Sequence, residues 1–139
     1  MQRLFCLATA IAHAHFNLVL PVSIEQAKPL EMGEIYNIPQ GVCEVTDTGY
    51  KGNACAGSNY SLGKLIVNGS SSQQVQIKVN SAENNEVKFK PILPNGQQSI
   101  SILLSTATTE LYIGGELSIT KSATEGNKSI QYTIEVNYQ

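Results

Sequence analysis

Cys43 and Cys55 lie in one polar, Gly-rich stretch that runs from Gly41 to Gly57. Two thiols so placed have three fates: a disulfide, two free thiols, or a shared metal ion. A metal would need further Cys or His ligands, and the stretch holds none. The disulfide is the expected state, closing a loop and stabilising by roughly 3 kcal/mol through restriction of the unfolded chain. It would also require an oxidising compartment. The chain's two histidines, His13 and His15, are two residues apart, so a strand would send both to one face, as half of a metal site. No other His exists to complete it and no carboxylates are patterned nearby, so a solvated strand face, or removal with a secretory signal, is the expectation. The same scarcity leaves a Ser-His-Asp or Cys-His relay without its base. No G-x-S-x-G, H-E-x-x-H, phosphate-binding loop or C-x-x-C occurs. Asp47 and the Glu residues could meet in space as a glycosidase pair, but no spacing recommends one. Asn59, Asn68 and Asn127 head N-x-[ST] triplets, which chance supplies in a chain this rich in Asn and Ser. The expectation is a non-enzyme with no catalytic residue, no metal site and no small-molecule cofactor.

Composition agrees with that expectation. The chain has 139 residues, enough for one domain with a core and too few for two ordinary ones. Only 14% of residues are charged and Trp is absent, so Ser, Thr, Asn and Gln must supply the polar surface, as in many secreted β proteins. A net charge of −2, with no cluster of Lys or Arg, argues against a nucleic-acid partner. No apolar run approaches the ~20 residues of a membrane helix.

The elements that must carry these residues read as strands. Toward the end of the chain, Ile130, Tyr132, Ile134, Val136 and Tyr138 alternate with Gln131, Thr133, Glu135 and Asn137. That period of two marks a half-buried strand. Near the start, Ala8, Ala10, Ala12, Ala14, Phe16, Leu18, Leu20, Val22 and Ile24 share one parity, which predicts a second long strand, edge-lying or broken at Pro21. Residues 1–14 also resemble a partial secretory signal: Arg3, a short apolar run, then small residues with successive A-x-A sites from Ala8 to Ala14. Cys6 would then stand outside the working fold. Phe16–Ile24 is strand under both readings. Further strands are predicted at Leu30–Ile35, Gly41–Thr46, Leu62–Val67, Val75–Asn80, Glu86–Ile92, Ser99–Leu104, Glu110–Ile119 and Ser129–Tyr138. Turn signals separate them, such as Asn68-Gly69, Pro94-Asn-Gly96 and Glu125-Gly-Asn127. Gly114-Gly115 inside a strand pattern suggests a bulge or a close backbone approach. The parity assigns the core to Val67, Val75, Ile77, Val79, Phe89, Ile100, Ile102, Leu104, Leu111, Ile113, Leu117, Ile119 and the Ile130–Tyr138 set. Many short strands with regular turns predict an antiparallel all-β sandwich of about 7–9 strands.

The closing segment, with Tyr138 next to last and Gly126 opening the final fourteen residues, resembles fimbrial subunits of the chaperone–usher route. A second resemblance spans nearly the whole chain. It is to bacterial secreted pilin-like domains, through Ala8-Thr-Ala-Ile-Ala, Leu20-Pro-Val-Ser-Ile, Leu30-Glu-Met-Gly-Glu-Ile35, Val67-Asn-Gly69, Ile113-Gly-Gly-Glu-Leu117 and Val136-Asn-Tyr-Gln139. The chain departs from the fimbrial pattern in the closeness of Cys43 to Cys55 and in having no Gly between Ala8 and Ile24. The resemblance implies an immunoglobulin-like sandwich lacking one strand, with an apolar groove that a neighbour's N-terminal strand fills. Residues 15–28 would be the donor, through Phe16, Leu18, Leu20, Val22 and Ile24, and residues 29–139 the sandwich. Gly126, Ile130, Tyr132, Ile134, Val136 and Tyr138 would form the acceptor strand, held before assembly by a periplasmic chaperone. The implied partners are other copies or related pilins, the chaperone and an outer-membrane usher; the implied location is the cell surface, reached through the periplasm. The competing expectation is a solitary surface module that binds carbohydrate or a host surface, with Tyr36, Tyr50 and Tyr60 as its exposed aromatics.

Overall fold

In strand Gln74–Asn80, Val75, Ile77 and Val79 are buried while Gln74, Gln76 and Lys78 face solvent. This period-two alternation recurs throughout and builds an all-β molecule. The computed structural model describes residues 7–106, 108–121 and 123–139, and among them there is no helix. Ten strands follow in order: β1 (Ser23–Lys28), β2 (Val42–Thr46), β3 (Gly49–Lys51), β4 (Gly63–Asn68), β5 (Gln74–Asn80), β6 (Ala82–Glu83), β7 (Val87–Ile92), β8 (Ser99–Leu103), β9 (Thr108–Ile119) and β10 (Thr133–Tyr138). The count exceeds the expected 7–9 because two short pieces add to it. Strand β3 returns from a tight turn to pair with β2, and β6 pairs with β7.

Two antiparallel sheets make a sandwich-like arrangement. The larger runs β1-β4-β9-β2-β3, with β7 and β6 joined at β9; the smaller runs β10-β5-β8. Strand β9 is the hub. Its first half pairs with β4, from Gly63 opposite Ile113 to Asn68 opposite Thr108, and its second half lies between β2 and β7. The handover falls at Gly114-Gly115. A Cβ on Gly114 would stand 2.1 Å from the Val45 carbonyl oxygen, and one on Gly115 would stand 2.4 Å from the Phe89 ring. Of the two readings of that Gly pair, close approach is the right one, and β9 passes through without a break in register.

Between the sheets, Leu65, Val67, Val75, Ile77, Val79, Leu93, Leu104 and Ile113 form the core cluster. Full burial stabilises by roughly 1.5–3 kcal/mol for each large aliphatic side chain. Of the expected core, Phe89 and Ile119 are also buried, while Ile100, Ile102, Leu111, Leu117 and the β10 set are half-buried. Cys43, Val45, Ala54, Leu65, Ile92 and Leu93 are buried without having been assigned there.

Four expected boundaries are corrected. Leu30–Ile35 is not a strand; it makes two isolated bridges, Glu31 to Ser61 and Ile35 to Cys55. Gly33, at φ 74°, turns the backbone between them, and a Cβ there would stand 2.7 Å from the Asn59 carbonyl oxygen. The N-terminal strand is Ser23–Lys28, not Phe16–Ile24; residues 7–22 form no strand. Pro21 offers no N–H to a ladder, and β4, the partner of β1, reaches only as far as Asn68 opposite Ser23. The last strand starts at Thr133 instead of Ser129, because β5 ends at Asn80, its partner. Gly126 lies in exposed irregular backbone at φ 126° and is not part of that strand. Residues 1–6, with Cys6 and the start of the signal-like segment, lie outside the described residues.

Candidate functional site

The two sheets meet at an open seam. Strand β1 is the outermost strand of the large sheet and β10 that of the small one. They come within 8 Å of each other, Cα to Cα, but no ladder joins them. Strand β10 pairs along one edge only, from Thr133 opposite Asn80 to Tyr138 opposite Val75. The Gln139 N–H donates to the Gln74 carbonyl at 3.0 Å, which sets the phase of the ladder. Antiparallel pairs alternate between bonded and non-bonded, so the main-chain groups of Ile134 and Val136 are directed to the free edge. The side chains of the same residues are half-buried against the core cluster, with Tyr132 and Tyr138 on the same side. An added strand would find both hydrogen-bond partners and an apolar floor there.

Tyr132 stacks obliquely on Phe89, ring centroids 5.3 Å apart. Its hydroxyl is buried and meets no hydrogen-bond partner. Burial pushes the phenol pKa upward. Ile130 is half-buried ahead of the strand. The floor of the seam is thus apolar, and among the described residues none that is charged is buried.

Tyr138 makes the contact that joins the seam to the N-terminal arm. Its hydroxyl donates to the Leu20 carbonyl at 2.6 Å and accepts from the Ser70 N–H at 2.8 Å. The Leu20 N–H in turn donates to the Ser70 hydroxyl oxygen at 2.7 Å. Gly69 leaves room for the ring: a Cβ there would stand 2.9 Å from the Tyr138 hydroxyl and 2.8 Å from Leu104. Beyond this clasp the arm is exposed, with Phe16 at 79%, Leu18 at 86% and Leu20 at 56% of full exposure. Val22 and Ile24 differ from them: both pack on the molecule's own core, and Ile24 pairs with Val67. The five candidate donor residues therefore divide, three on the arm and two in the body. Ser70 and Gly69 had no role assigned beyond a turn signal, since their partners lie far off in the sequence.

Away from the seam, Cys43 and Cys55 form a disulfide with Cα atoms 5.0 Å apart, and Cys43 is fully buried. The loop it closes is knitted to β2 by the Val42 N–H donating to Asn53 Oδ1 at 2.8 Å, and Ala54 is buried beneath it. Disulfides persist in oxidising compartments, so this bond indicates an extracytoplasmic location. His13 and His15 are exposed on the arm, rings 6.4 Å apart, and no group of three or more metal-ligating side chains occurs among the described residues. Of the three tyrosines considered for ligand stacking, Tyr50 and Tyr60 lie against each other at 4.4 Å and the Tyr50 hydroxyl donates to the Glu34 carbonyl at 2.8 Å. Tyr36 is exposed. A shallow groove of about 420 Å³ over β6, β7 and β9 is lined by Lys88 and Glu83, which pair with each other at 3.7 Å.

Comparison with curated proteins and with solved structures finds no match. Comparison with protein families finds one: residues 22–138 match "Domain of unknown function (DUF4402)". The match begins at Val22, where the arm ends and the packed body starts, and spans every strand of both sheets. The chain belongs to the DUF4402 family.

Proposed function

We propose that this protein is a structural subunit of a fimbria on the bacterial surface, assembled by donor-strand complementation between copies or related pilins. One observation carries the reading: the same molecule has a free, apolar-floored edge at β10 and an exposed arm bearing Phe16, Leu18 and Leu20. Each is unsatisfied alone, and each supplies what the other lacks. Val22 and Ile24 stay in the body, so the donated segment is the arm ahead of them, from His15 to Leu20, instead of Phe16–Ile24. Its alternate side chains would enter the seam, contributing on the order of 1.5–3 kcal/mol for each large one fully buried. The freedom lost on association offsets part of that. A strand lying between two others needs them about 9.6 Å apart. The seam is narrower than this where β1 nears β10 within 8 Å, so docking spreads it. Before assembly a periplasmic chaperone holds the β10 edge near Tyr138, and an outer-membrane usher receives the subunit.

The narrow seam also favours a second reading, a solitary surface sandwich, since β1 partly closes the edge within one molecule. Gel electrophoresis in detergent of material sheared from native cells separates the two. The fimbrial reading expects a ladder of multiples of the subunit that collapses on boiling, and none after deletion of residues 15–20. A monomer in unheated native material overturns it.

A further inference from the structure

The clasp joins the two halves of the docking apparatus inside one molecule. Tyr138 belongs to β10, the acceptor edge; Leu20 is the root of the arm, the donor; Ser70 follows β4, which holds β1. We propose that this clasp is a conformational coupling device: a strand entering the seam opens the clasp and frees the molecule's own arm. The inference rests on the docking reading above and adds a regulation to it.

The geometry sets the sign. Seating a strand requires β10 and β1 to part from within 8 Å to about 9.6 Å, at least in places. The clasp bonds are 2.6–2.8 Å long, and such bonds are lost beyond about 3.5 Å. Tyr138 moves with β10, whereas Leu20 is tied to β1; Ser70 lies in the turn between β4 and β5, the strand that pairs with β10. A separation of an ångström or more between the sides therefore breaks the bond from Tyr138 to Leu20. The Leu20 carbonyl loses its donor, and the arm root is left with its single bond to Ser70. A subunit with an empty seam keeps its arm root ordered; one with a filled seam presents a free arm. Growth would then favour molecules already joined at their acceptor end.

The test uses the full chain and a synthetic peptide of residues His15–Leu20 with a solubilising lysine tail. Backbone NMR follows β10 and the arm together. In the free protein the Leu20 amide should have an order parameter near about 0.85. With peptide bound, as read from shifts of Ile134 and Val136, it should fall below about 0.6. Tyr138→Phe should show the low value without peptide yet still bind it. Ser70→Ala is the second variant should Tyr138→Phe fold poorly. An ordered Leu20 with peptide bound overturns the coupling and leaves the docking reading intact. A peptide that does not perturb Ile134 or Val136 overturns both.

Discussion

Two tyrosines of one segment show how little a side chain's identity says about its energetics. Tyr132 and Tyr138 share a parity and both are half-buried against the core. The Tyr138 hydroxyl donates once and accepts once. The Tyr132 hydroxyl is buried without a partner. An unmatched buried polar group carries its desolvation cost uncompensated, so removing it without changing shape is neutral or favourable. Tyr132→Phe should therefore leave stability unchanged or raise it by up to about 1 kcal/mol. Urea denaturation checks this, and a loss of stability would mean the hydroxyl is paired in solution. The ring itself, set against Phe89 at 5.3 Å, is retained in that variant.

At the scale of the element, β10 is asymmetric across its two faces. Ile134 and Val136 face the core, while Thr133, Glu135 and Asn137 face solvent. Ile134→Asp sets a charge against an apolar floor and forfeits side-chain burial, so it should destabilise by about 3 kcal/mol or more. Thr133→Ala removes the hydroxyl that accepts from Asn80 Nδ2 at 2.9 Å and should cost only about 1 kcal/mol. Equal shifts of the two urea midpoints would contradict the register Ile134 opposite Val79. This much was legible in the sequence, because alternation of faces is a property of the extended backbone itself. The beginning of the strand was not. Ile130 and Tyr132 continue the alternation, but β5 stops at Asn80 and provides no ladder for them. Strand β1 lies within the expected N-terminal strand region, residues 15–28, but alternation did not mark its bounds: Glu25, Gln26 and Lys28 carry no apolar period, and the strand forms there because β4 offers an edge.

For the molecule as a whole, one carboxylate ties the approach to β10 to the large sheet. Glu86 accepts from the Thr124 N–H at 2.8 Å and from Lys128 Nζ at 3.4 Å, while its carbonyl accepts from the Thr120 N–H at 3.0 Å. The Thr124 main-chain bond, aided by the Lys128 charge, holds the Glu86 carboxyl below its usual 4.5. With the folded pKa below the unfolded one, the ionised form favours the fold. Its contribution is present above pH 4.5 and is lost as pH falls through the lower, folded value. Glu86→Gln should flatten the acid limb of stability against pH in that window, measured as urea midpoints at successive pH values. An unchanged slope would remove Glu86 from the account.

The sequence by itself determined the all-β class, most strand positions, the expected Cys43–Cys55 pairing and an irregularity at Gly114-Gly115, either bulge or close approach. Each rests on neighbours along the chain: a period of two, two thiols in one loop, two residues without Cβ. The tertiary structure alone decided which partner each strand takes. It decided that β9 passes from β4 to β2 and β7, that Val22 and Ile24 remain in the body, and that Leu20, Ser70 and Tyr138 meet. The last three are separated by 50 and 68 positions, and no local pattern encodes a hydrogen bond over such spans. Alternation says which face a side chain takes; only closure of the two sheets on one core says which edge is left open.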